Sequence, residues 1–326
     1  DFRLNARRIF GCRGILLPLS TTTHGRSYPG GLMTWSGGAG WMAQFYYDYY
    51  LFTGDETFLR ERAWPWMREA AAFYEDFFCE TDDGWLITVP SNSPENKPDV
   101  PETGSAVINA TMDIAIAKEL FTNLCAVSES FSWEQQSLPR WRELLTKLPP
   151  YDTNSDGALA EWMWPGLNDN YKHRHQSHLY PLFPGWEITA DTAPDMFEAC
   201  RIAAEKRFEV GLNSQTGWSL ANMANVYARL CEGDKALDVV ELMVRSCVGS
   251  NLFTYHNDVR SQGLAMFWGY GDYVPFQIEA NFGLVNAVHE MLLFSTPEWL
   301  RLLPALPAAW PNGRIRGLRA RGGFEI

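Results

Sequence analysis

No block of lysine or arginine interrupts the 326-residue sequence, and 39 acidic residues outnumber 27 basic ones, for a formal net charge of −12. That balance argues against nucleic acid and anionic membrane surfaces as partners and suits a neutral substrate. No apolar run approaches the roughly 20 residues of a membrane-spanning helix, so no membrane association is expected, and Asp1–Gly11 has no signal-peptide core. The six cysteines are scattered and never spaced as CxxC; most lie in helix-like apolar stretches, which predicts buried thiols and neither a disulfide framework nor a zinc site. GxSxG, Walker and GxGxxG patterns are missing too, and so is the βαβ alternation of a parallel sheet. His289-Glu290 opens as HExx, but Leu293 stands where a zincin needs its second histidine. No cofactor and no metal site are expected.

Aromatic residues are in excess: 14 Trp, 13 Tyr and 19 Phe make up 14% of the chain. With 46% hydrophobic content a sizeable core is assured, and the surplus rings fit either that core or an aromatic-lined cleft. Periodicity predicts helices over Trp41–Phe52, Glu56–Phe78, Ala106–Ser128, Trp133–Lys147, Pro194–Glu209, Trp218–Glu232, Asp234–Val248 and Asn281–Ser295. Asp55 is the expected N-cap of the second, Pro65 predicts a kink or a short break in it, and Pro139 a kink in the fourth. The first of these, WMAQFYYDYYLF, is apolar all round and is expected to be packed on both sides. Trp85–Val89 alternates as a short strand, and Arg301–Ile326 turns β-like. Helix pairs separated by long polar-aromatic loops, with no fixed repeat period, predict an all-α toroid of two concentric layers; a helical solenoid is the alternative. The abrupt, Met-less start suggests a fragment of a longer protein.

Polar chemistry is densest in Ala158–Leu179. Glu161 sits there just ahead of Trp162 and Trp164, followed by His173, Arg174, His175, Ser177 and His178. Rings stack on the apolar faces of a pyranose and polar groups fix its hydroxyls, so the stretch reads as a sugar site. A carboxyl beside indole rings is partly desolvated, which favours the protonated form that a general acid needs. The histidine spacing would also suit a metal, but no cysteine or second ligand cluster accompanies it and Arg174 would crowd the cation; sugar-hydroxyl recognition and a purely structural role both stay open. Glu279, in PFQIEANFG (Pro275–Gly283), stands where a helix begins, a position that favours an ionised carboxylate and equally suits a helix-capping Glu. A protonated and an ionised carboxyl across a cleft are the division of labour of glycosidases. Three further clusters supply loop-borne donors and acceptors: Asn92 to Asn96 with Glu95, Gln215 to Trp218, and Tyr255 to Asp258 with His256 and Asn257.

SPEN (Ser93–Asn96), EW (Glu161-Trp162), HRHxSHL (His173–Leu179), GWS (Gly217–Ser219), PFQIxxNFG (Pro275–Gly283), LLPALP (Leu302–Pro307) and GLRARGGF (Gly317–Phe324) follow one another in an order that resembles glycoside hydrolase family 95. That family contains inverting 1,2-α-L-fucosidases and some α-L-galactosidases. The resemblance implies an (α/α)6 barrel, incomplete at its N-terminus, over residues 1–300, and the beginning of a C-terminal β domain over 301–326. It makes Glu161 the general acid and Glu279 the general base, with Glu95, Trp162, His173, Arg174, His175, His178, Trp218, His256, Asn257 and Asn281 as substrate-binding residues. The implied substrate is an oligosaccharide or glycoconjugate bearing a terminal α-L-fucosyl or related L-sugar. Two departures stand out: Glu279 occupies a position where the family usually has Asp, and no NxNxQMNYW-like stretch supplies the asparagines that orient the attacking water. The first barrel helices and the usual N-terminal β-sandwich are therefore expected in a missing N-terminal part of the same polypeptide, which joins the substrate as a partner. Extracellular or periplasmic location is implied by the family alone, and a sugar-binding relative without turnover, or an α-L-galactosidase, is the alternative.

Overall fold

A computed structural model describes residues 2–22, 24, 34–266 and 274–326. The Gly-rich stretch that opens at Leu32 and the loop Gly249–Pro275 lie partly outside the described residues. The chain divides into two compact units, Asp1–Asp152 with Ala160–Asp169, and Thr153–Leu159 with Asn170–Ile326. Both are rich in helix, and the strands are few and short.

The first unit opens with α1 (Phe2–Asn5), which runs into a π-helical turn at Ala6–Phe10. Helices α2 (Gly38–Thr53), α3 (Glu56–Phe58), α4 (Trp64–Phe77), α5 (Thr111–Phe131) and α6 (Leu138–Lys147) follow. Asp55 caps α3 as expected, its side chain accepting from the Phe58 N–H at 2.9 Å. Pro65 does perturb the helix: it has no N–H to donate and its ring crowds the carbonyl four residues back, and Leu59–Ala63 widens into a π-helical turn just ahead of it. Pro139 does not kink anything. It lies in the first turn of α6, where its missing N–H has no intrahelical acceptor to lose, so the helix simply begins there. The helix expected from Ala106 starts at Thr111 instead, because Val107 and Ala110 are drawn into bridges with Ser91 and Trp162. Leu86–Ile87 (β2) pairs antiparallel with Cys79–Glu80 (β1).

Much of the aromatic excess is spent in this unit. Phe73 stacks on Phe77 with centroids 4.9 Å apart, Tyr46 stacks on Trp66 at 5.4 Å, and Trp64 meets both Trp133 and Trp141 edge-on. Trp141 is fully buried and its Nε1 donates to Glu75 at 3.1 Å. Truncating a buried indole of this kind costs about 3–5 kcal/mol. Contrary to the reading of an all-round apolar α2, only one face of it is covered among the described residues: Ala39, Ala43, Tyr47 and Leu51 are buried, while Phe45 is 57% and Tyr49 47% exposed.

The second unit holds α7 (Pro194–Glu209), with the predicted boundaries, and α8 (Gly217–Arg229), α9 (Gly233–Cys247) and α10 (Ile278–Leu292), each end within three residues of prediction. Here α8 is the sandwiched helix, buried at all but two of its positions, Trp218 and Asn222, and packed against α9 and α10. At its crossing with α10 a Cβ on Gly283 would lie 2.9 Å from Ala221 Cβ, so glycine permits the approach. Asn225 then bridges the pair, donating to the Ala221 and Gly283 carbonyls at 2.8 and 2.9 Å. Glu290, the residue of the failed HExx pattern, is bound bidentately by Arg229, whose other nitrogen donates to the Leu182 and Gly185 carbonyls. The chain ends in antiparallel pairs, β3 (Leu293–Ser295) with β4 (Leu300–Leu302) and β5 (Arg319–Ala320) with β6 (Phe324–Glu325). All six cysteines are free; Cys12, Cys125, Cys200 and Cys247 are buried as expected, but Cys79 and Cys231 are exposed because each falls just beyond a helix end. No helix among the described residues is long and apolar enough to cross a membrane.

Candidate active site

Glu161 lies in the first unit and is 0% exposed. Its backbone is held from both sides: its carbonyl accepts from Thr111 N at 3.0 Å, and its own N–H donates to Asp169 Oδ1 at 2.8 Å. Thr111 Oγ1 also donates to the Ala160 carbonyl at 2.6 Å, so the N-terminus of α5 fixes the frame on which Glu161 is mounted. The side chain is met by the SPEN segment, Ser93 Oγ donating to Oε1 at 2.6 Å and Asn96 Nδ2 to Oε2 at 2.8 Å. A buried carboxylate is tolerated only when donors answer its oxygens, and Ser93 and Asn96 answer one each. The two donors differ in kind: a serine hydroxyl donates to a carboxylate and equally accepts from a carboxylic acid, whereas the amide nitrogen only donates.

Of the neighbouring residues in the same unit, Glu95 is exposed at the tip of the loop that carries Ser93 and Asn96. Trp162 faces inward, 3% exposed and packed with Val107 and Ala110, so it braces Glu161 from the core and does not offer an open stacking face. Trp164 is the exposed ring of the pair.

In the second unit the histidine segment is tied down by Arg207 of α7. This guanidinium is fully buried and donates from one nitrogen to the carbonyls of His173 and His175, at 3.0 and 2.8 Å. His173, Arg174 and His175 stay half-buried, with the two imidazole rings 5.2 Å apart. His178 is buried, and burial first, then the charge of Arg207, hold its pKa well below the ordinary 6.5, so the ring is neutral at neutral pH.

The segment ahead of α8 and both ends of the loop Gly249–Pro275 converge where α8 and α10 begin. Gly217 N donates to the His256 carbonyl at 3.1 Å, and His256 N to the Pro275 carbonyl at 2.9 Å. Gln277 accepts from Trp218 N at 2.7 Å through its side chain and donates to the Thr254 carbonyl at 3.0 Å through its backbone. Asn281 Oδ1 accepts from Thr254 N at 3.1 Å while its Nδ2 donates to the Leu252 carbonyl at 2.9 Å. The junction brings together Trp218, His256, Asn257 and Asn281. Glu279 lies on the first turn of α10 beside it and is exposed, in keeping with the loop-to-helix position read from the sequence. Asn281 serves as a loop anchor here, with both ends of its amide engaged by Thr254 and Leu252.

Residues 1–292 match the glycosyl hydrolase family 95 catalytic domain, and residues 295–326 match the C-terminal domain of the same family. The chain belongs to glycoside hydrolase family 95. It is 36% identical over 307 residues to Alpha-L-fucosidase 2 of Arabidopsis thaliana, covering 90% of this chain and 34% of that protein. A Probable alpha-fucosidase A of Aspergillus niger is 28% identical over 308 residues, covering 88% of this chain and 36% of the relative. The family 95 chain thus spans about a third of the length of these curated relatives. Among solved structures, a putative kojibiose phosphorylase from the human microbiome shares the fold, with a TM-score of 0.56 at 12% identity, covering 93% of this chain and 46% of that one.

Three anchors of this family 95 chain escape a reading by motif: Asp113 on α5, Arg207 on α7 and the Thr254–Gln277 pair. Asp113 carried a signal, a lone carboxylate in the apolar run Met112–Ala117. Arg207 carried none, since its partners are backbone carbonyls. No group of three or more His, Cys, Asp or Glu among the described residues is placed to hold a metal ion.

Proposed function

We propose that this chain supplies the catalytic region of an inverting exo-glycosidase acting on terminal α-L-fucosyl or related L-sugar linkages. The supporting observation is Glu161: a fully buried carboxyl whose two oxygens meet Ser93 and Asn96 and whose backbone is pinned by Thr111 and Asp169. Such a group is preorganised to give up one proton at one place. In the proposed step Glu161 protonates the glycosidic oxygen as its bond to the anomeric carbon breaks. Water adds to that carbon from the opposite face, and its proton goes to Glu279, so the configuration inverts. Half-buried His173, Arg174, His175, Trp218 and His256, with exposed Glu95, are the groups assigned to the sugar; Trp162, His178 and Asn257 are buried, and Asn281 anchors its own loop.

The helical pairs of both units support an (α/α)6 barrel over residues 1–300 that passes into a β domain over 301–326, completed by an N-terminal part of the same polypeptide. The names of the relatives support L-fucose as the sugar, and export from the cytoplasm is carried over from the family alone.

The test is release of L-fucose from 2′-fucosyllactose by the full-length protein beside its Glu161→Gln and Glu279→Gln variants, with the product anomer read by proton NMR. Each variant should lose about 10²–10⁴-fold in kcat, and β-L-fucose should appear first. Saccharide binding without hydrolysis by the unaltered protein would select the binding-only relative, and release of L-galactose alone would move the specificity.

A further inference from the structure

Asp113 is 0% exposed on the first turn of α5, and it is not used by the proposed chemistry. Its Oδ1 accepts from Trp35 Nε1 at 2.8 Å. Its Oδ2 accepts from Ser91 Oγ at 2.7 Å, Asn92 N at 3.0 Å and Ser36 Oγ at 3.3 Å. The acceptor is therefore directed at the loop of residues 91–96, the same loop whose Ser93 and Asn96 side chains meet Glu161. Ser91 is tied in further: its Oγ accepts from Ala110 N at 2.9 Å and from Thr88 Oγ1 at 3.1 Å. A Cβ on Gly37 would stand 2.8 Å from Asp113 Oδ1, so a glycine there is what leaves the carboxylate its place.

We infer that Asp113 is a positioning residue for Glu161, acting through the 91–96 loop. One helix start then aligns both halves of the acid. Thr111 holds the Glu161 backbone, and two residues further on Asp113 holds the loop that brings donors to the Glu161 side chain. Burying a carboxylate is costly, and at this site burial pushes the Asp113 pKa up to about 6 against the hydrogen bonds that lower it. A residue whose task was cohesion alone would be better served by an apolar side chain of the same size. What only an anion does is accept four donors converging from two chain segments, 35–36 and 91–92.

This inference rests on Glu161 being the acid, and the test separates the two. Full-length wild type, Asp113→Asn, Ser91→Ala and Glu161→Gln are compared on 2′-fucosyllactose, whose sugar leaving group needs a proton, and on α-L-fucosyl fluoride, whose fluoride leaves without one. Misplacement of the acid by a fraction of an ångström to 1 Å should cut kcat on 2′-fucosyllactose by about 10–100-fold in Asp113→Asn and Ser91→Ala, with kcat on the fluoride within about threefold of wild type. Ser91→Ala leaves Asp113 in place and so covers the case in which Asp113→Asn does not fold. Equal losses on both substrates, or wild-type kcat on both, would overturn the role of Asp113 while a leaving-group-dependent loss in Glu161→Gln left the acid assignment standing. If Glu161→Gln itself lost both activities equally, the acid assignment would fall and the positioning role with it.

Discussion

Asp113 also makes the chain's stability depend on pH, with a sign and size that follow from its surroundings. Burial raises its pKa from 3.8 to about 6 in the folded chain, so between those values the folded state binds more protons than the unfolded one. The stabilisation is fully present below the unfolded value and is lost as pH rises through about 6; above about pH 7 it changes no further. A shift of about two pK units corresponds to about 3 kcal/mol. Asp113→Asn keeps the shape and removes the titration, but its amide nitrogen must face Trp35 or Ser91, both donors, at a cost of about 1–3 kcal/mol. The variant should therefore be about 1–3 kcal/mol less stable than wild type near pH 4, and the wild-type-minus-variant difference should fall by about 3 kcal/mol towards pH 7, vanishing or changing sign. Urea unfolding followed by tryptophan fluorescence, at constant ionic strength from pH 4 to 7.5, measures it. A wild-type-minus-variant difference that stays flat across that range would refute the reasoning, since it would mean that the four hydrogen bonds offset the burial completely.

Arg207→Met keeps most of the stem but withdraws the guanidinium from the His173 and His175 carbonyls; unfolding should become easier by about 2–4 kcal/mol, and a change under about 0.5 kcal/mol in a thermal melt would contradict the anchoring role. In the same variant the His178 ring, relieved of the neighbouring positive charge but still buried, should titrate closer to its ordinary value by proton NMR. Gly217→Ala places a Cβ 2.3 Å from the Tyr255 carbonyl oxygen, a backbone atom with little freedom to retreat. A cost of about 1–3 kcal/mol and a raised KM for the sugar are expected, and an unchanged melting temperature would show that the loop junction yields.

Several helix starts were legible from local punctuation, though Pro139, read as a kink, in fact opens α6. Asp55, Pro194 and the Gly-Trp-Ser of α8 mark starts that the structure keeps, because capping and proline geometry depend on nearest neighbours. Residues 106–110 were misread as helix since what makes them extended is the pairing of Val107 with Ser91 and Ala110 with Trp162, contacts 16 and 52 residues apart in sequence. The same distinction runs through the candidate site. Glu161, SPEN and the histidine segment were visible as motifs, whereas Asp113 stood out only as a lone carboxylate in an apolar run, with nothing in the sequence to name Trp35 and Ser91 as the donors on its oxygens. Trp162 shows the converse: a tryptophan next to a carboxylate suggests a stacking wall, yet its ring completes a small core cluster, which backs the site without lining it.

The start of α10 is locked by three bonds: Gln277 Oε1 accepts from Trp218 N of α8, Thr254 Oγ1 donates to the Gln277 carbonyl, and Asn281 Oδ1 accepts from Thr254 N. Residue 279 is thus the tip of a gauge mounted on a fixed bar. A longer or shorter acid there is not absorbed by sliding the helix, because the hydrogen bonds that would have to slip lie on both sides of it. Glu279→Asp would draw the carboxylate back by about one carbon–carbon bond, about 1.5 Å, and change nothing else. Glu and Asp at this position carry the same charge and set two different distances from one backbone.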